Sequence, residues 1–341
     1  MAYTTINKSS LNFNTKLYTG NGSTNNITGV GFQPDWVWTK CRSTVNSHRV
    51  IDAVRGVTKA IVTNSTGAEF TEATGLSAFG SDGYTLNGNL ASMNTNNDTY
   101  ASWNWKANGQ GSSNTAGSIN TTYTSVNTTA GFSISQYTGT GSNATVGHGL
   151  GAVPKIIIVK KLSGSDSWTI YHSSLGATKK INFDTGGAGT QSDRWNDTSP
   201  TNTLFSIGTN GSVNANNATY VAYCFAEKQG YSKFSSYVGN SNADGPFVYT
   251  GFKPAFVLLK SSTSVEEWVM FDNKRLGYNP DNNALIVSNS AEATDNDIDF
   301  LSNGFKLRRN TGYVNDNGRV FIYMAFGQSL VGTNNVPCTT R

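Results

Sequence analysis

The sequence predicts an all-β protein of three tandem, homologous antiparallel β-sandwich domains, jelly-roll-like in character. Three observations predict it. One block of sequence recurs three times in the same order, over about 100–120 residues each time. Its apolar runs are short and rich in β-branched and aromatic residues. Turn-forming clusters separate those runs every eight to twelve residues or so, the spacing of sandwiches, and no segment sustains a helical period. A repeat of this length is far above the roughly 20–50 residues of solenoid or propeller units, so each copy is a domain rather than a blade.

Each element can be justified in chain order. A lead-in strand falls near Phe13, near Phe132-Ser133-Ile134 and near Tyr231-Ser232-Lys233-Phe234, and closes on Tyr18-Thr19-Gly20, Tyr137-Thr138-Gly139 and Tyr237-Val238-Gly239. A Gly-x-x-Pro follows, then an apolar run ending in Lys: Trp36-Val37-Trp38-Thr39-Lys40, Ile156-Ile157-Ile158-Val159-Lys160 and Phe256-Val257-Leu258-Leu259-Lys260. Pro34, Pro154 and Pro254 fix the chain at the strand entrance, where no ladder donor is needed. The clusters Asn94–Asp98, Asn214–Asn217 and Asn315–Gly318 read as a repeated hairpin turn, since Asn and Asp tolerate the left-handed region. Each cluster precedes an aromatic strand that opens at Tyr100, Tyr220 or Phe321. The domains expected are 11–108, 131–228 and 229–330. A polar arm (1–10) precedes them, a flexible Gly/Ser/Thr/Asn linker (109–130) joins the first two, and a tail (331–341) follows.

Charged residues make up only 13% of the 341, and about 40 asparagines, with many Ser, Thr and Gly, hydrate the surface instead. The net charge of +4 is spread thinly; its densest cluster, Lys306-Leu307-Arg308-Arg309, reads as a solvent-facing strand, and nucleic-acid binding is not expected. Cys41, Cys224 and Cys338 form no disulfide framework or zinc motif, and Cys224 reads as a buried free thiol of a protein folded in a reducing cytoplasm. No secretory signal or membrane span is visible.

Chemistry-bearing groups are few. Asp52 and Arg55 recur as Asp272 and Arg275, while the second copy carries His172 and Leu175; the pair reads as a loop-shaping ion pair of roughly 0–1 kcal/mol. His48, His148 and His172 occupy different repeat positions and form no triad pattern. Asp295-Asn296-Asp297-Ile298-Asp299 lacks the glycine and distal Glu of a calcium loop and reads as a solvated loop. Trp36, Trp38, Trp103 and Trp105 alternate and read as core. Trp168, Trp195, Trp268 and Tyr278 lie near variable loops, where they either pad an interface or stack on sugars. No catalytic residue, metal site or cofactor is expected.

Several strings carry a resemblance. Ala2–Lys8, Leu17–Gly22, Val30–Trp36 and Ala53–Gly56, with Tyr220–Glu227, Asp244–Phe252 and Ile298–Lys306, resemble the repeat domains of structural proteins in marine, cyanophage-like tailed bacteriophages. The resemblance covers nearly the whole chain. It implies a component of the virion surface made in the host cytoplasm, with no enzymatic activity, and most often a tail fibre or receptor-binding adhesin that contacts host glycan or surface protein. The alternatives are a head fibre, decoration or tail structural protein contacting virion subunits, and a polysaccharide depolymerase. A homotrimer is expected by analogy with phage fibres. The arm, through Tyr3, Ile6 and Leu11, is expected to anchor the chain to other virion proteins. The third domain, taken as outermost, is expected to present Arg275, Tyr278, Asn279 and Asp281 to a receptor.

Overall fold

The computed structural model describes residues 4–183, 188–276, 279, 282–287, 292–295 and 297–330. The described chain is almost wholly antiparallel β, with two four-residue helices at Ser192–Trp195 and Gly211–Asn214. The same sheet recurs three times. Its strand order is Phe13–Thr19, Thr99–Trp105, Trp36–Cys41, Arg49–Asp52 in the first repeat. In the second, Phe132–Thr138, Thr219–Phe225, Ile156–Lys161 and Thr169–His172 follow the same order; in the third, Ser232–Val238, Val320–Gly327, Pro254–Ser261 and Val269–Asp272 do. The register is preserved: Trp36 faces Trp105, Ile156 faces Phe225, and Phe256 faces Phe326. A smaller sheet covers one face of each, built around Gly83–Asn87, Leu204–Ile207 and Gly304–Leu307.

The repeated motifs of the sequence hold the two sheets of each sandwich together. The tyrosine of Tyr-x-Gly donates its hydroxyl to a carbonyl on the opposite crossover: Tyr18 to Met93, Tyr137 to Val213, Tyr237 to Val314, at 2.6–2.8 Å. Its ring stacks on the aromatic that opens the last strand, with centroids 5.1–5.2 Å apart in all three copies. The glycine lets the crossover approach, because a Cβ there would lie 2.1–2.4 Å from the carbonyl oxygen of Thr95, Ala215 or Asp316.

The asparagine clusters are not hairpin turns. They lie where the chain leaves the smaller sheet for the larger one, and their first residue is a buried pin. Asn94 accepts from Asn21 N and donates to Ser23 O and Gly88 O. Asn214 accepts from Thr140 N and donates to Ser142 O and Gly208 O; Asn315 does the same with Asn240, Asn242 and Arg309. The repeated lysines are buried too. Lys40 donates to Asn46 O, Lys160 to Asp166 O and Thr66 O, and Lys260 to Glu266 O, so each closes the loop after its strand. Burial pushes Lys40 and Lys260 down to about 8.

Each sandwich has its own small core, but the largest core belongs to all three repeats. The faces of the larger sheets turned away from the smaller ones meet one another. Trp105, Phe225 and Phe326 hold equivalent positions and form a triangle, with ring centroids 6.4, 5.7 and 6.1 Å apart and edge-to-face geometry throughout. Phe13, Trp36, Phe132 and Phe256 surround it, and Trp36 stacks on Tyr223 of the second repeat at 4.8 Å. Phe183 contacts Trp38, Trp168 and Trp268, one indole from each repeat. The repeats therefore surround an approximate threefold axis.

Several expectations need correction. The 109–130 segment is not a bare linker: Tyr123–Asn127 pairs with Phe132–Thr138, and Ile119 is buried against the second repeat. The arm is not free from residue 6 onward. Ile6 is buried in the shared core, Ser9 Oγ donates to Gln328 O, and Leu330 N donates to Asn7 O. Of the two expected anchoring residues that the structure describes, Leu11 is exposed and Ile6 is not; Tyr3 and the tail from 331 lie outside the described residues. The acidic and basic runs of the third repeat face each other, Asp299 with Arg308 and Asp297 with Arg309, and Asp297 is fully buried.

Buried tyrosines couple this packing to pH. Burial raises Tyr100 and Tyr220 to about 12, and burial raises Tyr137, Tyr223 and Tyr237 well above the ordinary value. Because the folded-state values exceed the unfolded value of about 10, their contribution is complete below pH 10 and lost as pH rises through 12 or so. We predict that most tyrosinate absorbance appears together with loss of near-ultraviolet circular dichroism in alkali. Full tyrosine ionisation in a chain that keeps its native spectrum would contradict this.

A candidate ligand cleft at one of three seams

Three seams separate the repeats, and equivalent residues build each one. The residue before the fourth strand of the larger sheet reaches into a neighbouring repeat: Trp168 Nε1 donates to Val62 O, Trp268 Nε1 to Asn182 O, and His48 Nε2 bonds Ile286 O, at 2.7–3.0 Å. Trp38 Nε1 donates to His48 Nδ1, which leaves Nε2 to carry the proton. A backbone bond repeats likewise, from Glu69 N to Leu162 O, Ala188 N to Ser262 O and Glu292 N to Arg42 O. Trp168 and Trp268 are thus interface residues, whereas Trp195 sits inside the second repeat's own core.

The Asp-x-x-Arg pair ends the fourth strand. Neither pair is a surface loop ornament. Asp52 and Arg55 meet at 2.6 Å with both side chains buried, and Asp272 and Arg275 do the same. Arg55 also reaches Glu69 and the carbonyls of Val50 and Lys59; Arg275 reaches Glu292 and Met270 O. The carboxylate oxygen that pairs with the arginine Nε also takes a donor from the neighbouring repeat: Tyr223 OH donates to Asp52 Oδ2 at 2.7 Å, and Trp103 Nε1 donates to Asp272 Oδ2 at 3.0 Å. Burial acts to lower the Arg55 pKa, but the charges of Asp52 and Glu69 raise it above the ordinary value. Arg42 closes the seam between the third and first repeats by a bidentate pair with Glu292, at 2.8 and 2.9 Å.

The seam between the second and third repeats is built differently. Tyr223 and Trp103 correspond to Met324, which offers no donor, and the acid facing it is replaced by His172. That ring accepts from Ser174 N at Nδ1 and lies 3.3 Å from Tyr323 O through Nε2. Burial pushes His172 down to about 4, so it stays neutral. Arg55 corresponds to Leu175, Glu69 to Ala188, and Arg42 to Ser262. Where the other seams are filled by guanidinium and carboxylate, these smaller side chains leave an open cleft of about 450 Å³. Its wall carries Leu175, Val265 and Val320, hydroxyls from Ser174 and Thr263, and the exposed ammonium of Lys179.

Of the receptor residues expected in the third repeat, the structure describes two: Asn279 is exposed and Arg275 is not. Arg275 is wholly buried in its ion cluster. The Asn279 amide is spent on Phe300, accepting from its N and donating to its O. Tyr278 and Asp281 lie outside the described residues. The third repeat is not outermost either, since all three share one core. The sequence signal for the cleft was the loss of both charges from the second copy, which alignment of the three repeats displays.

The fold and its seams define a single-chain β-sandwich protein with internal threefold packing. The chain belongs to the family described as a domain of unknown function, DUF7483, whose model matches residues 8–329 and so spans the three repeats as one unit. No curated protein and no solved structure matches it.

The ion clusters make a direct prediction. Asp272→Ala leaves Arg275 buried without its nearer carboxylate, with Glu292 alone as counter-charge, and should destabilise the fold by about 3 kcal/mol, read from the urea midpoint. Tyr223→Phe, which removes one donor from a retained ion pair, should cost about 1–2 kcal/mol. Equal, sub-kilocalorie effects would mean that the clusters are hydrated and hold nothing together.

Proposed function

We propose that the chain is a non-enzymatic surface protein of a tailed-phage particle, working as a tail-fibre or receptor-binding adhesin, and that the cleft between the second and third repeats takes a unit of host surface glycan. The observation that carries this reading is that one of three equivalent seams lacks the bulky ion cluster of the other two. Its aliphatic wall suits the C–H face of a sugar, and its hydroxyls suit sugar hydroxyls. Lys179, which makes no salt bridge among the described residues, favours an acidic sugar. The resemblance of the repeat strings to phage structural proteins supplies the virion context. The aromatic strand faces are already covered inside one chain, so this proposal needs no homotrimer to bury them.

The test is to fill the cleft as its two counterparts are filled. Leu175→Arg with Ala188→Glu introduces a pair that the other seams accommodate, so the fold should survive. Binding of the purified protein to host envelope polysaccharide, and adsorption of particles carrying it, should fall at least about tenfold. Unchanged adsorption by intact particles would overturn the adhesin reading of this cleft and favour a decoration role with virion subunits as partners.

A further inference from the structure

We propose that the open sheet edge of the third repeat is a strand-addition site for an extended, uncharged segment of another polypeptide. The proposal does not depend on the virion reading. Its basis is a comparison of the same edge in the three repeats.

In the second repeat this edge is covered in cis. Tyr123–Asn127 adds an antiparallel strand, from Tyr123 opposite Gln136 to Asn127 opposite Phe132. Thr122 N donates to Gln136 O at 2.7 Å, and Ile119 N donates to Thr145 O at 3.0 Å. One segment thereby caps both sheets of the sandwich. Residues 112–127 contain no charge and are mostly Ser, Thr and Asn, with Ile119 buried.

In the third repeat the equivalent strands, Ser232–Val238 and Phe247–Tyr249, are the outermost of their sheets among the described residues. Ser236 corresponds to Gln136 and Phe247 to Thr145, so these positions turn their backbone outward. Lys233, near the start of this edge, pairs with Glu227, but from Ser236 onward the edge carries no charge and exposes apolar side chains: Val238 is 55%, Phe247 46% and Tyr249 61% exposed. No preceding segment equivalent to 112–127 exists here, because only residues 226–231 join the second repeat's last strand to Ser232. Glu227 already accepts from Phe234 N, which restricts added pairing to Ser236 onward and to the Phe247–Tyr249 strand.

The first repeat shows what a protected edge looks like in this fold. Its equivalent strands, Phe13–Thr19 and Asn25–Thr28, carry Lys16, Asn25, Asn26 and Thr28, and no large exposed hydrophobic lies on them. Lysine and other polar groups on an edge discourage pairing, whereas an unprotected apolar edge invites it. Backbone hydrogen bonds would supply affinity, and contact of aliphatic side chains with Phe247 and Tyr249 would supply selectivity. The occupant is accordingly a polypeptide with the chemistry of residues 112–127.

The probe is a fluorescein-labelled synthetic peptide of residues 112–127, titrated with the full chain and followed by anisotropy. Saturable binding is expected, weakened at least about tenfold by Phe247→Lys and by Ser236→Pro. Phe247 is exposed, so that variant keeps the test decisive should Ser236→Pro unfold. No binding by up to about 1 mM protein, or equal binding to the Phe247→Lys chain, would overturn the proposal. So would a concentration-dependent dimer that Phe247→Lys converts to monomer, because the edge would then serve a second copy.

Discussion

The strands Trp36–Cys41, Ile156–Lys161 and Pro254–Ser261 have almost no residue in water on either face, and that requirement organises the molecule. A small second sheet can cover only one face. The other must be covered by something equally apolar, and the nearest such surface is the same face of another repeat. Three repeats suffice, because the three faces close on one another around Trp105, Phe225 and Phe326. The sandwiches are thus joined by a shared interior, not strung on linkers. The seams follow from this: once the sheets meet, polar groups at strand ends are buried and each needs a partner in the next repeat.

The approximate threefold packing tolerates chemical divergence only when both sides of a seam change together. An aspartate faces a tyrosine hydroxyl in one seam and an indole in another, both donors. Where the facing residue is Met324, the acid is absent and a neutral histidine bonds the backbone instead. An isolated aspartate there would be buried without a donor, at a cost of several kcal/mol. The outer edges diverge more freely, since water can satisfy them. One is capped in cis, one is polar and one is apolar.

Much of the local structure was legible because local chemistry demands it. The Tyr-x-Gly and Pro positions, the alternating tryptophans and the buried Cys224 all lie where period and turn chemistry put them. The asparagine clusters were misread as hairpins because a turn and an inter-sheet crossover use the same residues; only the long-range bonds of Asn94, Asn214 and Asn315 separate them. The shared core was not legible at all. A strand buried by a second sheet and a strand buried by another repeat have the same apolar run. Arg275 was misplaced for a related reason: an i, i+3 ion pair looks alike on a surface and in a seam, and burial is set by a tryptophan far away in sequence.

The central claim is that the three repeats fold as one body because they share one core, and calorimetry of the intact chain tests it most directly. A single endotherm is expected, with a calorimetric to van't Hoff enthalpy ratio of about one. Two or three separable transitions, each assignable to one repeat, would contradict it.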